Sequence, residues 1–187
     1  MIKINEKAPD FTAKAFYKNH IKTIKLSDYK GKWVVIFFYP ADFTFICPTE
    51  LGGLADNYDK LKKINAEVLS ISTDTEFVHK AWHDNSKTIK KIKFPMVADR
   101  TGNICRAYET LIEEDGLSLR GTFIIDPDGI LKAYEIHANN IGRSIEELIR
   151  KLQAAQFVRE HKAEVCPVNW KPGSKTLKPG LDLVGKI

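Results

Sequence analysis

The run WVVIFFY, residues 33 to 39, sits between Gly31 and Pro40. Apolar residues in that density, without alternation, predict a strand buried on both faces. Beyond Cys47 the rhythm changes. Leu51, Leu54, Tyr58, Leu61 and Ile64 recur at steps of three and four, which predicts an amphipathic helix over residues 48–65 despite Gly52 and Gly53. Pro48 suits its first position, and Thr49 with Glu50 its first turn. EVLSIST (67–73) reads as a second strand, and EFVHKAWHDNSK (76–87) as a helix capped by Asp74 or Thr75. PMVAD (95–99) predicts a third strand. RGTFIID (120–126), the turn residues PDG and ILKAYEIH, ending at His137, predict a β-hairpin. SIEELIRKLQAAQFVREH (144–161) is the strongest helix, with Ser144 and Glu147 spaced as a capping box.

Strand, helix, strand, helix, strand, hairpin, helix is the order of an α/β fold whose mixed sheet is sandwiched by helices. Its connectivity is thioredoxin-like. The expected organisation is one domain over residues 1–161, followed by an extended C-terminal arm, 162–187, belonging to the same structural unit. The arm, KAEVCPVNWKPGSKTLKPGLDLVGKI, is rich in Pro, Gly and Lys.

Bulk properties narrow the class. At 187 residues, 43% hydrophobic and 28% charged, the chain is long and apolar enough for a proper core. No apolar run has the length of a membrane span, and MIKINEKAPDFTA lacks the apolar segment of a secretory signal. A cytoplasmic protein is expected. The net charge is +5, but lysines alternate with acids from Lys3 to Lys186. Even KTIKKIKF (87–94) reads as a solvated face, so no nucleic-acid partner is expected. Three scattered cysteines, Cys47, Cys105 and Cys166, form neither a disulfide framework nor a CxxC or zinc pattern. Neither metal nor cofactor is expected.

Cys47 is placed where chemistry is favoured. It stands at the end of FYPADFTFIC, where the first strand gives way to a helix. A thiolate is the reactive form, and an ordinary thiol, with a pKa of ~8.5, is mostly protonated at neutral pH. Unpaired amide N–H groups and the positive end of the helix dipole favour the sulfur anion there. The hydroxyl of Thr44, three residues upstream, can reach the sulfur or a substrate oxygen. Pro40 bends the chain and offers an apolar wall against water. A buried, inert cysteine is the competing reading; Pro40 and Thr44 tip the balance toward function.

Pro40-x-x-x-Thr44-x-x-Cys47 resembles the active-site loop of the peroxiredoxins. The likeness extends along the chain. APDFTA resembles the family's N-terminal strand, STDTEFVHKAWH its central segment and RGTFIIDPDGI the strand bearing its arginine. EVCPVNWKPG resembles the segment with a second, resolving cysteine, and LDLVGKI the tail of the bacterial alkyl hydroperoxide reductase peroxidase subunit. The resemblance implies a typical two-cysteine thiol peroxidase acting on hydrogen peroxide and organic hydroperoxides. Cys47 would be the peroxidatic and Cys166 the resolving cysteine. Thr44 would hydrogen-bond the peroxide, Pro40 shield the pocket, and Arg120 hold thiolate and peroxide oxygens; Glu50 and Arg143 would support them. It further implies a disulfide to Cys166 of a partner chain, a homodimer, a ring of five dimers, and recycling by a flavoprotein disulfide reductase or a thioredoxin.

The residue types suit that chemistry. Displacement at an O–O bond needs a sulfur anion and stabilisation of the leaving oxygen, and a guanidinium offers several fixed donors that keep their protons. Taken singly, Arg120 also fits an exposed ion pair, and Glu50 an ordinary first-turn acid. A cysteine hydrolase is disfavoured, because no histidine is evidently placed as base for Cys47. A holdase or peroxide-relay role stays open as an alternative. Cys105, in GNICRAYET, reads as a packing residue on a short helix. His79 and His83 have metal-compatible spacing, but Trp82 between them suggests packing or surface roles.

Overall fold

The computed structural model describes residues 1–186. The strands are β1 (Thr12–Tyr17), β2 (His20–Lys25), β3 (Trp33–Phe38), β4 (Ala66–Ser72), β5 (Met96–Ala98), β6 (Leu111–Ile112), β7 (Leu117–Ser118), β8 (Arg120–Ile125) and β9 (Leu131–His137). The helices are α1 (Cys47–Lys63), α2 (Glu76–Asn85), α3 (Asn103–Ala107) and α4 (Ile145–Glu160). Seven strands form one mixed sheet in the order β2-β1-β5-β4-β3-β8-β9. The unbroken apolar run becomes its middle. β3 is buried throughout, flanked by β4 in parallel (Val35 opposite Val68) and β8 in antiparallel pairing (Val35 opposite Ile124).

Val34, Ile36 and Phe38 join Leu69, Ile71, Phe123, Ile125 and Tyr108 in the core. Phe38 and Phe123 meet edge to face at 5.5 Å, and Tyr108 meets Phe123 in the same way at 5.0 Å. Each such buried aromatic contributes about 1.5–3 kcal/mol through burial alone. α1 lies against β4, and α2 against β1 and β5. The glycine that looked out of place in α1 has a packing reason: a Cβ on Gly52 would come within 2.6 Å of the Thr88 methyl.

Two features differ from the sequence pattern, and one alternative is resolved. The hydrophobic pattern did not announce the hairpin of β1 and β2, because β2 buries only Ile24. Its turn is carried by Lys18 and Asn19 in left-handed backbone, at φ 49° and 62°. α1 starts at Cys47, one residue early, with Pro48 behind it. Of the two cap candidates for α2, Thr75 is the one used; its hydroxyl accepts from the Val78 amide at 3.2 Å.

The chain forms two compact units, Met1–Ile145 and Glu146–Ile187. In the second, the C-terminal segment is less extended than its composition predicts. Val165 and Leu177 form an antiparallel bridge, Trp170 is buried with its ring 4.8 Å from Phe157, and Arg150 donates to the Trp170 carbonyl at 3.2 Å. Among the described residues, no helix is long and apolar enough to cross a membrane.

Candidate active site

β3 ends at Phe38, and residues 39–46 carry the chain to α1. Ile46 occupies the cap position of that helix and supplies no side-chain acceptor. No side-chain oxygen caps the first turn; the Thr49 and Glu50 amides donate to the Ile46 carbonyl at 2.9 and 3.2 Å, and Pro48 has no N–H to offer. Cys47 is the first helical residue, fully buried, in the place where an anion is best received.

One helical turn on, Glu50 shares the face of Cys47. Arg120, at the start of β8, reaches both: its Nη1 lies 3.5 Å from the Cys47 Sγ and 2.8 Å from the Glu50 Oε2. The rest of its fork is fixed, since Nε and Nη2 donate to the Asn139 carbonyl at 3.0 and 2.8 Å. Arg143 closes the cluster. Its amide and Nε donate to Glu50 Oε1 at 2.8 and 3.0 Å, and its Nη2 to Oε2 at 2.8 Å. Nη1 of Arg143 donates to the Gly121 carbonyl and the Thr122 hydroxyl, and the guanidinium rests 3.4 Å from the Phe37 ring centre.

The three charged side chains are 1–4% exposed. Burial pushes the Glu50 carboxyl up, but Arg143, by hydrogen bonds and charge, and then Arg120 hold it below its ordinary value. Two guanidinium groups and one carboxylate leave one positive charge in excess beside the sulfur.

The structure thus brings together Cys47, Arg120, Glu50 and Arg143 of the expected set. Pro40 is buried at the strand's end. The half-buried Thr44 donates its hydroxyl proton to the Ala41 carbonyl at 2.9 Å, leaving its oxygen as an acceptor. Cys166 belongs to the second unit, half-buried, with Sγ 3.9 Å from the Ala154 carbonyl. Burial pushes its thiol up, against the pull of Arg150, and Glu164 adds to the rise. Cys105 does lie on a short helix, α3, with its amide bound to Asp99 Oδ2 at 2.7 Å; burial, then Asp99, pushes its thiol up to about 12.

Comparison with known proteins decides the family. The model of the AhpC/TSA family matches residues 4–134, and that of the C-terminal domain of 1-Cys peroxiredoxin matches residues 154–184. Alkyl hydroperoxide reductase C of Staphylococcus epidermidis is 52% identical over 186 residues, covering 98% of each chain. This chain belongs to the AhpC/TSA peroxiredoxins. Alkyl hydroperoxide reductase C of Salmonella typhimurium is 51% identical over 98% of each chain. The crystal structure of Enterococcus faecalis AhpC superposes with a TM-score of 0.86 at 48% identity, covering 89% of this chain and all of that one. Reduced Plasmodium vivax 2-Cys peroxiredoxin superposes with a TM-score of 0.91 at 34% identity, covering 96% and 94%. As a peroxiredoxin, the chain has the thioredoxin-like fold and is a thiol-dependent peroxidase that reduces hydroperoxides and draws electrons from a reductase.

Residue-by-residue reading of the sequence missed what stands behind the loop. His79, expected as a packing or surface residue, is fully buried, with Nδ1 2.8 Å from Asp42 Oδ2. The available signal was its position: on α2 it lies one turn from Thr75 and three residues from the buried Trp82. The contribution of the Asn139 carbonyl had no side-chain signal at all. Among the described residues, no cluster of His, Cys, Asp or Glu could hold a metal ion.

Proposed function

We propose that Cys47 is the peroxidatic cysteine and that the cluster around it performs the first half of the cycle. The Cys47 thiolate attacks one peroxide oxygen; an S–O bond forms, the O–O bond breaks, and water or an alcohol leaves with a proton. Arg120 Nη1, fixed by Glu50 and Asn139, stabilises the sulfur anion and then the charge on the leaving oxygen. Thr44 accepts a hydrogen bond from the peroxide, Pro40 excludes water, and Glu50 with Arg143 holds Arg120 in place. The observation that carries this reading is the 3.5 Å approach of a buried guanidinium to a buried sulfur at a helix start.

The second half requires a second thiol. Cys166 attacks the sulfenic sulfur, releasing water and leaving a disulfide. The protonated state favoured for Cys166 suits a thiol that waits until its partner is oxidised. We assign the bond to Cys166 of a second copy, hence a homodimer, with five dimers in a ring, and a flavoprotein disulfide reductase or a thioredoxin as electron donor. The two-cysteine name of the Plasmodium vivax neighbour supports the pairing. Residues 1–161 form the catalytic domain in this scheme, and 162–187 the arm that delivers Cys166. Three unbridged cysteines suit a reducing cytoplasm.

Stopped-flow peroxide consumption by wild type, Cys47→Ser and Cys166→Ser tests it. The serine at 47 should abolish the fast reaction. The serine at 166 should keep it for one turnover and lose recycling. A fast reaction surviving without Cys47 would refute the assignment.

A further inference from the structure

The loop that carries Pro40 and Thr44 is tied to α2 and β5 by a buried polar network that the peroxide chemistry above does not use. Asp42, between those two residues, has its side chain wholly buried, as has His79. Asp42 Oδ2 lies 2.8 Å from His79 Nδ1, and its Oδ1 accepts from the Tyr39 hydroxyl at 2.7 Å. That hydroxyl also lies 3.5 Å from His79 Nδ1. The far side of the imidazole faces β5, Nε2 to the Val97 carbonyl at 3.2 Å. The Asp42 amide donates to Asp74 Oδ2 at 2.8 Å, and that same oxygen takes the Ser72 hydroxyl.

A carbonyl only accepts, so His79 Nε2 carries a proton. One further proton lies between Nδ1 and Oδ2, whichever atom holds it. The pair is therefore neutral overall and can stay buried without a counter-ion. Burial holds the Asp42 carboxyl above its ordinary value, although His79 and Tyr39 both pull it down. Next to the pair the backbone is strained. Phe43 has φ 55°, left-handed for a bulky residue, and its ring lies 5.9 Å from that of Trp82 on α2. Such a conformation persists only where its surroundings enforce it.

We propose that Asp42 and His79 are positioning residues for the peroxide step, clamping residues 40–44 to α2 so that Pro40 and Thr44 stay set around the Cys47 sulfur. This rests on the peroxidase roles assigned above. The clamp acts on the walls of the site and leaves Cys47 and Arg120 untouched. Its loss should slow only those reactions of the sulfur that need the walls.

The test compares two reactions of Cys47 in the full-length protein: oxidation by hydrogen peroxide, and alkylation by iodoacetamide, which needs no aligned O–O bond. The variants are His79→Ala, Tyr39→Phe and Asp42→Asn. A misplacement of an ångström can cost about 100-fold, so His79→Ala should lower the peroxide rate roughly 10- to 100-fold. Tyr39→Phe, which removes one hydroxyl, should lower it by a few fold. Alkylation should stay near the wild-type rate in both. Asp42→Asn, the conservative variant, should lose less of the peroxide rate than His79→Ala, because its amide can donate to a neutral His79 Nδ1 while its carbonyl accepts from Tyr39. Wild-type peroxide rates in His79→Ala and Tyr39→Phe would overturn the proposal, as would alkylation falling in step with oxidation. If His79→Ala does not fold, Tyr39→Phe decides alone. Failure of the wild type itself to consume peroxide would refute the functional assignment, a result distinct from variants that match an active wild type.

Discussion

Glu50 carries the one negative charge between two buried arginines, and its carboxylate accepts from the Arg120 Nη1 that also faces Cys47. Its carboxyl is held below the ordinary value of 4.5, so it contributes stability that is complete above that pH and is lost as pH falls through the lowered value. Wild-type stability should therefore decline below pH 4.5 with a component absent in Glu50→Gln. At neutral pH that variant should lose about 3 kcal/mol, the cost of leaving buried charge uncompensated, measured by urea unfolding. Equal acid sensitivity in both proteins would contradict this role. Cys105 should behave in the opposite way to a catalytic thiol. With its thiol pushed up to about 12 and its side chain enclosed, it should resist alkylation in the native protein, and Cys105→Ser should retain full activity.

At the scale of elements, the strand-to-helix turn was legible because several unusual choices coincide in one short stretch: Pro40, Thr44, Cys47, then Pro48 and Glu50. β3 and α1 were legible because each buries a continuous face. The hairpin of β1 and β2 was not, since only Ile24 of β2 is covered and the rest faces solvent. The Asp42–His79 pair escaped the pattern because its members lie 37 residues apart, and a histidine on a helix face reads as packing. If Cys47 and Cys166 form the proposed disulfide, the start of α1 must also move. Cys47 is fully buried, so a disulfide at its sulfur requires the first turn to open. Hydrogen exchange should show residues 44–54 and the segment around Cys166 losing protection on oxidation. Equal protection in reduced and oxidised protein would argue against local unfolding. In the proposed cycle the C-terminal segment would also release contacts within its own unit, among them the Val165–Leu177 bridge and the packing of buried Trp170.

For the molecule as a whole, the two cysteines proposed to react belong to separate compact units, Cys47 to the first and Cys166 to the second. If the disulfide joins two copies, wild type treated with peroxide should run as a covalent dimer on non-reducing gels. Cys166→Ser should remain monomeric there, and an oxidised wild type that stays monomeric would point to a bond within one chain. The sheet builds the first of these sites by placing Arg120 of β8 beside the helix that follows β3, its antiparallel partner. That adjacency is a product of topology, and it turns two distant positions into one charged site. The most direct measurement is the second-order rate of Cys47 oxidation by hydrogen peroxide in Arg120→Met, with near-UV circular dichroism confirming the native fold. Removal of a single preorganised donor should slow the reaction about 100-fold; a natively folded variant reacting within threefold of wild type would show that the nearby guanidinium does not drive the chemistry.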